Sequence, residues 1–357
     1  MKILFKGSVF NPTGIATANR EIVKELAKKV SVQVTDPWNS RWDFNEGLEH
    51  LNNAIDVAKG DVVTIFADYP QFWQGGYGRI IGHFLHEGTK LFPGWVEALN
   101  KVEKIFVPSQ ATKNLFKWNG VTVPIEVIPY GVNSEIYHPS KEEKLDDFVF
   151  LSVNSWTGKQ LDRKGTGLLI KAFNEEFKQD EKVKLVLKIS TFWKQPEDWM
   201  QCIMEITGKP NPNILFNDSY LPESEIAKHY QMADCFVAPT MGESFGLTIL
   251  NAAASGLPII VTKDKNSGHM DYCRDLDSVL WIDAPTVIQG DPQFFCEGNM
   301  QALPDLESLK KQMRYAFEHR EELRKKALKN SEKIRQEYSW EKTASKILEF
   351  VDGNSRN

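Results

Sequence analysis

The chain has 357 residues, with 43 Lys and Arg against 48 Asp and Glu, a formal net charge of −5, and 41% hydrophobic residues. That length suggests two domains, and the composition is that of an ordinary globular protein. An acidic chain without a long Lys/Arg run is a poor partner for nucleic acid, and no apolar stretch reaches the length of a membrane span.

The start, Met1-Lys-Ile-Leu-Phe-Lys6-Gly, is broken by Lys6 and lacks the longer apolar segment of a secretory signal. A cytoplasmic location is therefore expected. Lys2–Phe10 reads as a buried parallel strand, Asn11–Gly14 as a turn, and Ile15–Lys28 as a helix with apolar residues at helical spacing. Strands are expected at Val30–Thr35 and Asp61–Ala67, separated by a helix over Glu46–Ala58. Ile80–Leu85, Lys104–Val107 and Ile125–Ile128 follow as strands, with helices near Gly94–Asn100 and Ser109–Trp118. Strands alternating with helix-length segments imply a parallel sheet covered on both faces.

Between Pro129 and Asp147 the chain turns polar, as a linker does. The alternation then restarts. Strands are predicted at Phe148–Val153, Val183–Ile189, Asn213–Phe216, Cys235–Ala238, Pro258–Val261 and Val279–Ile282. Helices are predicted at Gly165–Phe177, Glu197–Ile206, Glu223–Met232 and Phe245–Ser255. From Asp305 the chain is charged and helical, ending with Trp340–Val351. The expected class is α/β, with two facing Rossmann-like, doubly wound domains and ligand sites at strand C-terminal ends. The expected division is 1–139, with helix 338–357 crossing back to it, and 140–337.

Four scattered cysteines (Cys202, Cys235, Cys273 and Cys296) contain no Cys-x-x-Cys pair, so neither a disulfide framework nor a zinc site is expected. Asp275-Leu-Asp277 spells Asp-x-Asp inside an acidic loop and reads as a solvated turn, and no metal is called for. Two loops carry the chemistry. In Ala238-Pro-Thr-Met-Gly-Glu243-Ser-Phe-Gly246-Leu247, a strand end runs through two glycines into a helix. Ser244 is the candidate N-cap, leaving the N–H groups of Phe245, Gly246 and Leu247 to donate to an anion or to sugar hydroxyls. In Asp162-Arg163-Lys164-Gly165, two cations stand at a helix start, where they oppose the dipole and call for an anion between them. Gly242-Glu-Ser244-Phe-Gly246 also matches the Gly-x-Ser-x-Gly elbow of α/β serine hydrolases, with Asp283 and His319 in the required order. That alternative leaves the whole first α/β half unused and draws its His from a highly charged helix.

Together these segments resemble the retaining GT-B glycosyltransferases of family 4. The resemblance runs from Gly14 and His86-Glu87 through Phe106-Val-Pro-Ser-Gln and Val127-Ile-Pro-Tyr-Gly-Val-Asn to Arg-Lys-Gly165, the Glu243 block and Tyr338-Ser-Trp-Glu341. It implies transfer of a sugar from a nucleotide-diphosphate donor, UDP- or GDP-linked, to a carbohydrate or glycoconjugate hydroxyl, without cofactor or metal. By resemblance, Arg163 and Lys164 bind the diphosphate, Glu243 holds donor-sugar hydroxyls, His86 lies near the reactive carbon, and Gly14 approaches the diphosphate. The family's second Glu, eight residues after the first, is Asn251 here, where it meets the ribose without charge assistance. The strand end before the Arg-Lys-Gly loop, where a basic residue is frequent, is Asn154-Ser-Trp156. These departures leave a second outcome, an inactive relative that binds the sugar nucleotide. Acceptor contacts are expected in the first domain, where Trp38, Trp42, Tyr69, Phe72, Trp73, Tyr77 and Trp95 gather; Tyr69–Gly78 reads as an aromatic loop able to stack on sugar faces.

Overall fold

The computed structural model describes residues 1–36, 48, 51, 61–140, 146–156, 158–159, 161–190 and 198–353. The helix expected at Glu46–Ala58, together with Trp38 and Trp42, lies outside the described residues except for positions 48 and 51. The chain divides into two compact units, Met1–Gly131 with Tyr338–Asn357, and Val132–Glu337. The first division therefore falls ahead of residue 139. Its physical reason is Tyr137, which is buried and meets the Tyr230 ring edge-on at 5.6 Å within the second unit.

In the first unit, β1 (Lys2–Gly7), β2 (Ser31–Thr35), β3 (Val62–Ala67), β4 (Arg79–His83), β5 (Lys104–Val107) and β6 (Ile125–Val127) form a parallel sheet. Their order is β2-β1-β3-β4-β5-β6. Strand order reverses between β1 and β3, so the loops leaving these strands flank the crevice that doubly wound sheets use for ligands. Helices α1 (Gly14–Ala27), α2 (Trp95–Leu99) and α3 (Gln110–Trp118) belong to this unit.

The link from β3 to β4 holds no α-helix, only a 3-10 turn at Pro70–Phe72. Tyr69–Gly78 runs as a strap along the sheet. Trp73 lies flat on Phe66 (5.7 Å, 9°) and donates its Nε1–H to Asp68 O at 2.7 Å. Gly82 makes room for it, since a Cβ there would stand 2.6 Å from the Trp73 ring. Lower down, Thr64 Oγ1 pairs with both N and O of Tyr77 at 2.8 Å. The terminal helix α11 (Trp340–Asp352) buries Trp340, Ala344, Ile347, Phe350 and Val351 as one stripe and packs on α1. Lys104 Nζ donates to Phe350 O and Arg79 Nη1 to Val351 O (2.6 Å), so two cations satisfy the carbonyl end of this helix.

In the second unit, β7 (Phe148–Ser155), β8 (Val183–Ser190), β9 (Ile214–Asn217), β10 (Cys235–Ala238), β11 (Ile259–Thr262) and β12 (Val279–Ile282) are parallel. Their order, β12-β11-β10-β7-β8-β9, places the reversal between β7 and β10. Helices α4 (Thr166–Glu176), α5 (Trp199–Thr207), α6 (Glu223–Met232), α7 (Leu247–Ala254), α8 (Met270–Cys273), α9 (Leu306–Glu318) and α10 (Arg320–Glu337) complete the layers. Phe150, Leu169, Phe173, Leu185, Leu187 and Met313 form the centre of one core beneath α4 and α9. A hairpin absent from the sequence reading, β13 (Thr286–Gln289) with β14 (Met300–Leu303), interrupts the path from β12 to α9.

Candidate active site

The two loops singled out in the sequence leave β7 and β10, the strands on either side of the reversal. Because these strands are neighbours, residues 79 apart in the chain come into contact. Lys164 Nζ stands 2.5 Å from Glu243 Oε1, and Arg163 Nη1 stands 4.0 Å from the same oxygen. Arg163 Nη1 also donates to Gly242 O at 2.8 Å, while Met241 N donates back to Arg163 O at 2.8 Å. Thr240 Oγ1 is 3.2 Å from Glu243 Oε1 and 3.0 Å from Gly242 O. Burial opposes ionisation of Glu243, yet Lys164 and Arg163 beside it hold its carboxyl below the usual carboxylate range.

Local geometry explains the glycine between the cations and α4. Gly165 has φ +70°, and a Cβ there would stand 2.0 Å from Pro239 O. Only a residue without a side chain lets the two loops meet this closely. The start of α4 is capped from four residues earlier: Asp162 accepts from Lys164 N at 2.9 Å and from Gly167 N at 3.3 Å. Burial raises the Asp162 carboxyl to about 6 against those backbone bonds and the nearby Arg163. The anions that the two cations call for are thus supplied, in the structure, by the chain itself: Glu243 to the side chains and Asp162 to the amides.

Sequence reasoning missed Thr240, Asp162 and Tyr272 here. Tyr272 OH donates to Phe245 O at 3.1 Å and Gly246 O at 2.7 Å, anchoring the turn from below. The candidate cap Ser244 is corrected. Helix α7 begins at Leu247 behind Gly246, which at φ +87° takes the cap position, and its carbonyl accepts from Ile249 N and Leu250 N at 3.0 Å. A left-handed turn falls where only glycine tolerates it, which moves the helix start past Ser244, Phe245 and Gly246. Phe245 is buried against Tyr272 (5.4 Å), and Asn251 sits half-buried on the second turn of α7.

The hydrolase alternative loses its geometry. His319 Nδ1 bonds Tyr315 O at 2.9 Å with its ring stacked on Tyr315, and Asp283 is 3.4 Å from Ser308 Oγ. Neither meets Ser244. Asp277 of the Asp-x-Asp sequence accepts from Asn330 Nδ2 at 2.9 Å, a structural bond. Among the described residues, no group of three or more His, Cys, Asp and Glu is arranged to hold a metal.

In the first unit, Gly14 opens α1 directly behind the loop from β1, and a Cβ there would meet no atom within 4 Å. That loop is tightly held. Asp36 Oδ2 accepts from Val9 N and Phe10 N, both at 2.9 Å, and Arg20 Nη1 donates to Val9 O and Asn11 O at 2.6 and 2.7 Å. His86, after β4, is buried against Trp95 (5.1 Å) and Phe92 (6.0 Å). Of the four acceptor-side aromatics, Tyr69 packs on Phe84 and Trp95 (5.8 Å each) and Trp73 on Phe66, so both serve the core. Tyr77, though 54% exposed, lies beside Thr64, about 10 Å of strand rise below the ligand end of β3. Phe72, 44% exposed and close behind β3, alone keeps the expected setting.

The model of the family described as Glycosyl transferases group 1 matches residues 133–334, more than half of the chain. The chain belongs to the group 1 glycosyl transferases. Alpha-monoglucosyldiacylglycerol synthase of Streptococcus pneumoniae is 27% identical to this chain over 255 residues, covering 66% of the chain and 53% of that protein. The chain spans about half or less of the length of the first curated relatives it matches. A glycosyltransferase structure from Rickettsia africae superposes with a TM-score of 0.73 at 13% identity, covering 99% of both chains. Anabaena HepE in complex with UDP-glucose superposes with a TM-score of 0.72 at 14% identity, covering 99% of this chain and all (100%) of that one. The fold of the chain is GT-B, with two Rossmann-like domains.

Proposed function

We propose that the chain is a retaining, metal-independent glycosyltransferase of the family 4 type. It moves a hexosyl group from a nucleotide-diphosphate sugar, UDP- or GDP-linked, to a hydroxyl of a glycan, glycolipid or other glycoconjugate. One observation carries the reading: Arg163 and Lys164 converge on Glu243, whose side chain is 11% exposed, at the reversal of strand order in the second unit. Breaking a sugar–diphosphate bond develops negative charge on phosphate. Cations already fixed in a low-dielectric site offset that charge without reorganising. Glu243 meets both cations in the structure and offsets one of their two charges, and a diphosphate competes for them. The released carboxylate then accepts hydrogen bonds from donor-sugar hydroxyls. Asn251 keeps the ribose role, while Gly14 and His86 keep the donor roles that the family resemblance gives them. Phe72 is the acceptor-side residue to test first. The UDP-glucose of HepE and the glycolipid product named for the pneumococcal relative support UDP-glucose as first donor and a diacylglycerol-type lipid among first acceptors.

A second reading, binding without transfer, draws on Asn251 and on Asn154. The Asn154 side chain is committed to Ser152 (2.9 Å) and Thr166 (3.0 Å), at the strand end where the family frequently carries a cation. A thermal-shift panel of UDP-, GDP- and ADP-sugars selects the donor, because ligand at a hundred times its Kd adds about 2.7 kcal/mol. With that donor, transfer is expected to survive EDTA and to keep the anomeric configuration. Glu243→Ala and Arg163→Ala are each expected to abolish it while circular dichroism is unchanged. No shift with any sugar nucleotide, or full transfer in either variant, overturns the proposal. Saturable binding without transfer to any acceptor selects the second reading.

A further inference from the structure

Glu243 lies in the turn between β10 and α7, outside any helix or strand. Of its carboxylate contacts, those to Lys164 and Arg163 are the ones a diphosphate displaces; the one that stays, from Thr240 Oγ1 at 3.2 Å, touches only the carboxylate and does not fix the main chain. The backbone must be held from elsewhere. The segment after β11 does this from both sides of the residue. Ser267 Oγ accepts from Glu243 N at 3.2 Å, and Gly268 N donates to Glu243 O at 2.6 Å. Both main-chain polar groups of Glu243 are therefore engaged by two consecutive residues of one segment.

The Ser267 hydroxyl is itself oriented. Its proton goes to Asp264 Oδ2 at 3.0 Å, which leaves its lone pairs for Glu243 N. Asp264 is fixed in turn: Oδ1 accepts from Asn266 N at 3.0 Å and its carbonyl accepts from Ser267 N at 3.0 Å. At the far end, His269 Nε2 donates to Thr262 O at 2.9 Å. Ser267 and His269 are fully buried, and Asp264 is 9% exposed, so water competes little for these bonds.

We infer that Ser267, backed by Asp264, is a positioning residue that aims Glu243 at the donor sugar. The inference rests on the role proposed for Glu243 above. It makes a distinction that a general structural role does not. Glu243 faces the sugar, while Arg163 and Lys164 face the diphosphate, so loosening Glu243 weakens binding of the sugar nucleotide and spares the free nucleotide.

The test is isothermal titration of UDP-glucose and of UDP into wild type, Glu243→Gln, Ser267→Ala and the double variant. If the thermal-shift panel selects another donor, that sugar nucleotide and its nucleotide diphosphate replace this pair. Ser267→Ala and Glu243→Gln are each expected to lose about tenfold in affinity for the sugar nucleotide relative to the free nucleotide, the worth of one buried hydrogen bond. Ser267→Ala is expected to leave nucleotide affinity unchanged, Glu243→Gln is expected to raise it by removing the carboxylate that competes with the diphosphate for Arg163 and Lys164, and the double variant is expected to be no weaker than Glu243→Gln alone. Asp264→Asn, which still accepts from Asn266 N but turns an N–H toward Ser267, gives a smaller loss and serves if Ser267→Ala does not fold. A tenfold loss in Glu243→Gln with none in Ser267→Ala or Asp264→Asn overturns the inference and leaves the functional reading standing. An equal loss for sugar nucleotide and nucleotide in Ser267→Ala also overturns it. No loss in Glu243→Gln overturns the role of Glu243 and the inference with it.

Discussion

Replacing Gly165 by Ala adds one methyl group where the loops from β7 and β10 touch. Two costs follow from the geometry. The residue keeps φ +70°, which costs an L side chain about 1–2 kcal/mol. The new Cβ also falls 2.0 Å from Pro239 O, and side-chain rotation cannot relieve a contact between two main chains. Overpacking of this kind costs about 1–3 kcal/mol, so the expected destabilisation is about 2–5 kcal/mol. The strain has one exit, which is for the loops to part by about 1 Å. That stretches the Met241 N–Arg163 O bond of 2.8 Å and carries Arg163 and Lys164 away from Glu243. A displacement of this size costs about a hundredfold in rate at a reacting centre. Urea titration followed by tryptophan fluorescence reads the stability, and initial rates with the selected donor read the transfer. A midpoint and kcat/KM equal to wild type would refute the claim that this contact builds the site.

Gly14→Ala is the complementary case: the position is helical and open, so the variant is expected to be as stable as wild type or more so by about 0.5–1 kcal/mol. A fall in donor affinity with that stability intact supports close approach of the donor to this backbone, and unchanged affinity removes Gly14 from the site. His83 gives a pH signature in the first unit. Burial lowers it to about 4 against its bond to Phe106 O, while its Nε2 accepts from Tyr130 OH at 2.8 Å. A depressed imidazole means the unfolded chain binds the extra proton, so His83 contributes stability above pH 6.5 that is lost as pH falls toward 4, about 3 kcal/mol in all. His83→Gln is expected to flatten the urea-midpoint profile over that interval, and a slope identical to wild type would show that His83 does not carry it.

Much of the fold was legible because doubly wound sheets announce themselves by period. The buried run Val62–Ala67 was placed to within a residue, and the closing helix expected at Trp340–Val351 is observed as α11, Trp340–Asp352. What escaped were features whose cause lies across the chain. Tyr69–Gly78 has the composition of a free aromatic loop, and nothing in its own pattern says that Trp73 lies flat on Phe66. The available clue was Gly82 inside the apolar strand Arg79–His83, since glycine in a strand marks a close neighbour. The hairpin Thr286–Leu303 carries Gln289-Gly-Asp-Pro between its two short runs, a turn signature that could have located it.

The site divides along the same line. Arg163, Lys164 and Glu243 stood out individually, because cations at a helix start and an acid between glycines are locally unusual. Their pairing did not stand out, for it depends on β7 and β10 being neighbours in the sheet, a consequence of the crossover order. Ser267 and Asp264 escaped for a further reason. Lys263-Asp-Lys-Asn-Ser-Gly268 is as polar as any solvated turn, and its composition carries no mark of burial. Only the bonds from Ser267 and Gly268 to the Glu243 main chain distinguish it. A polar loop that follows a buried strand at the ligand end of a parallel sheet is therefore better read first as a support for the neighbouring loop, and as solvent-facing only when its backbone partners lie within itself.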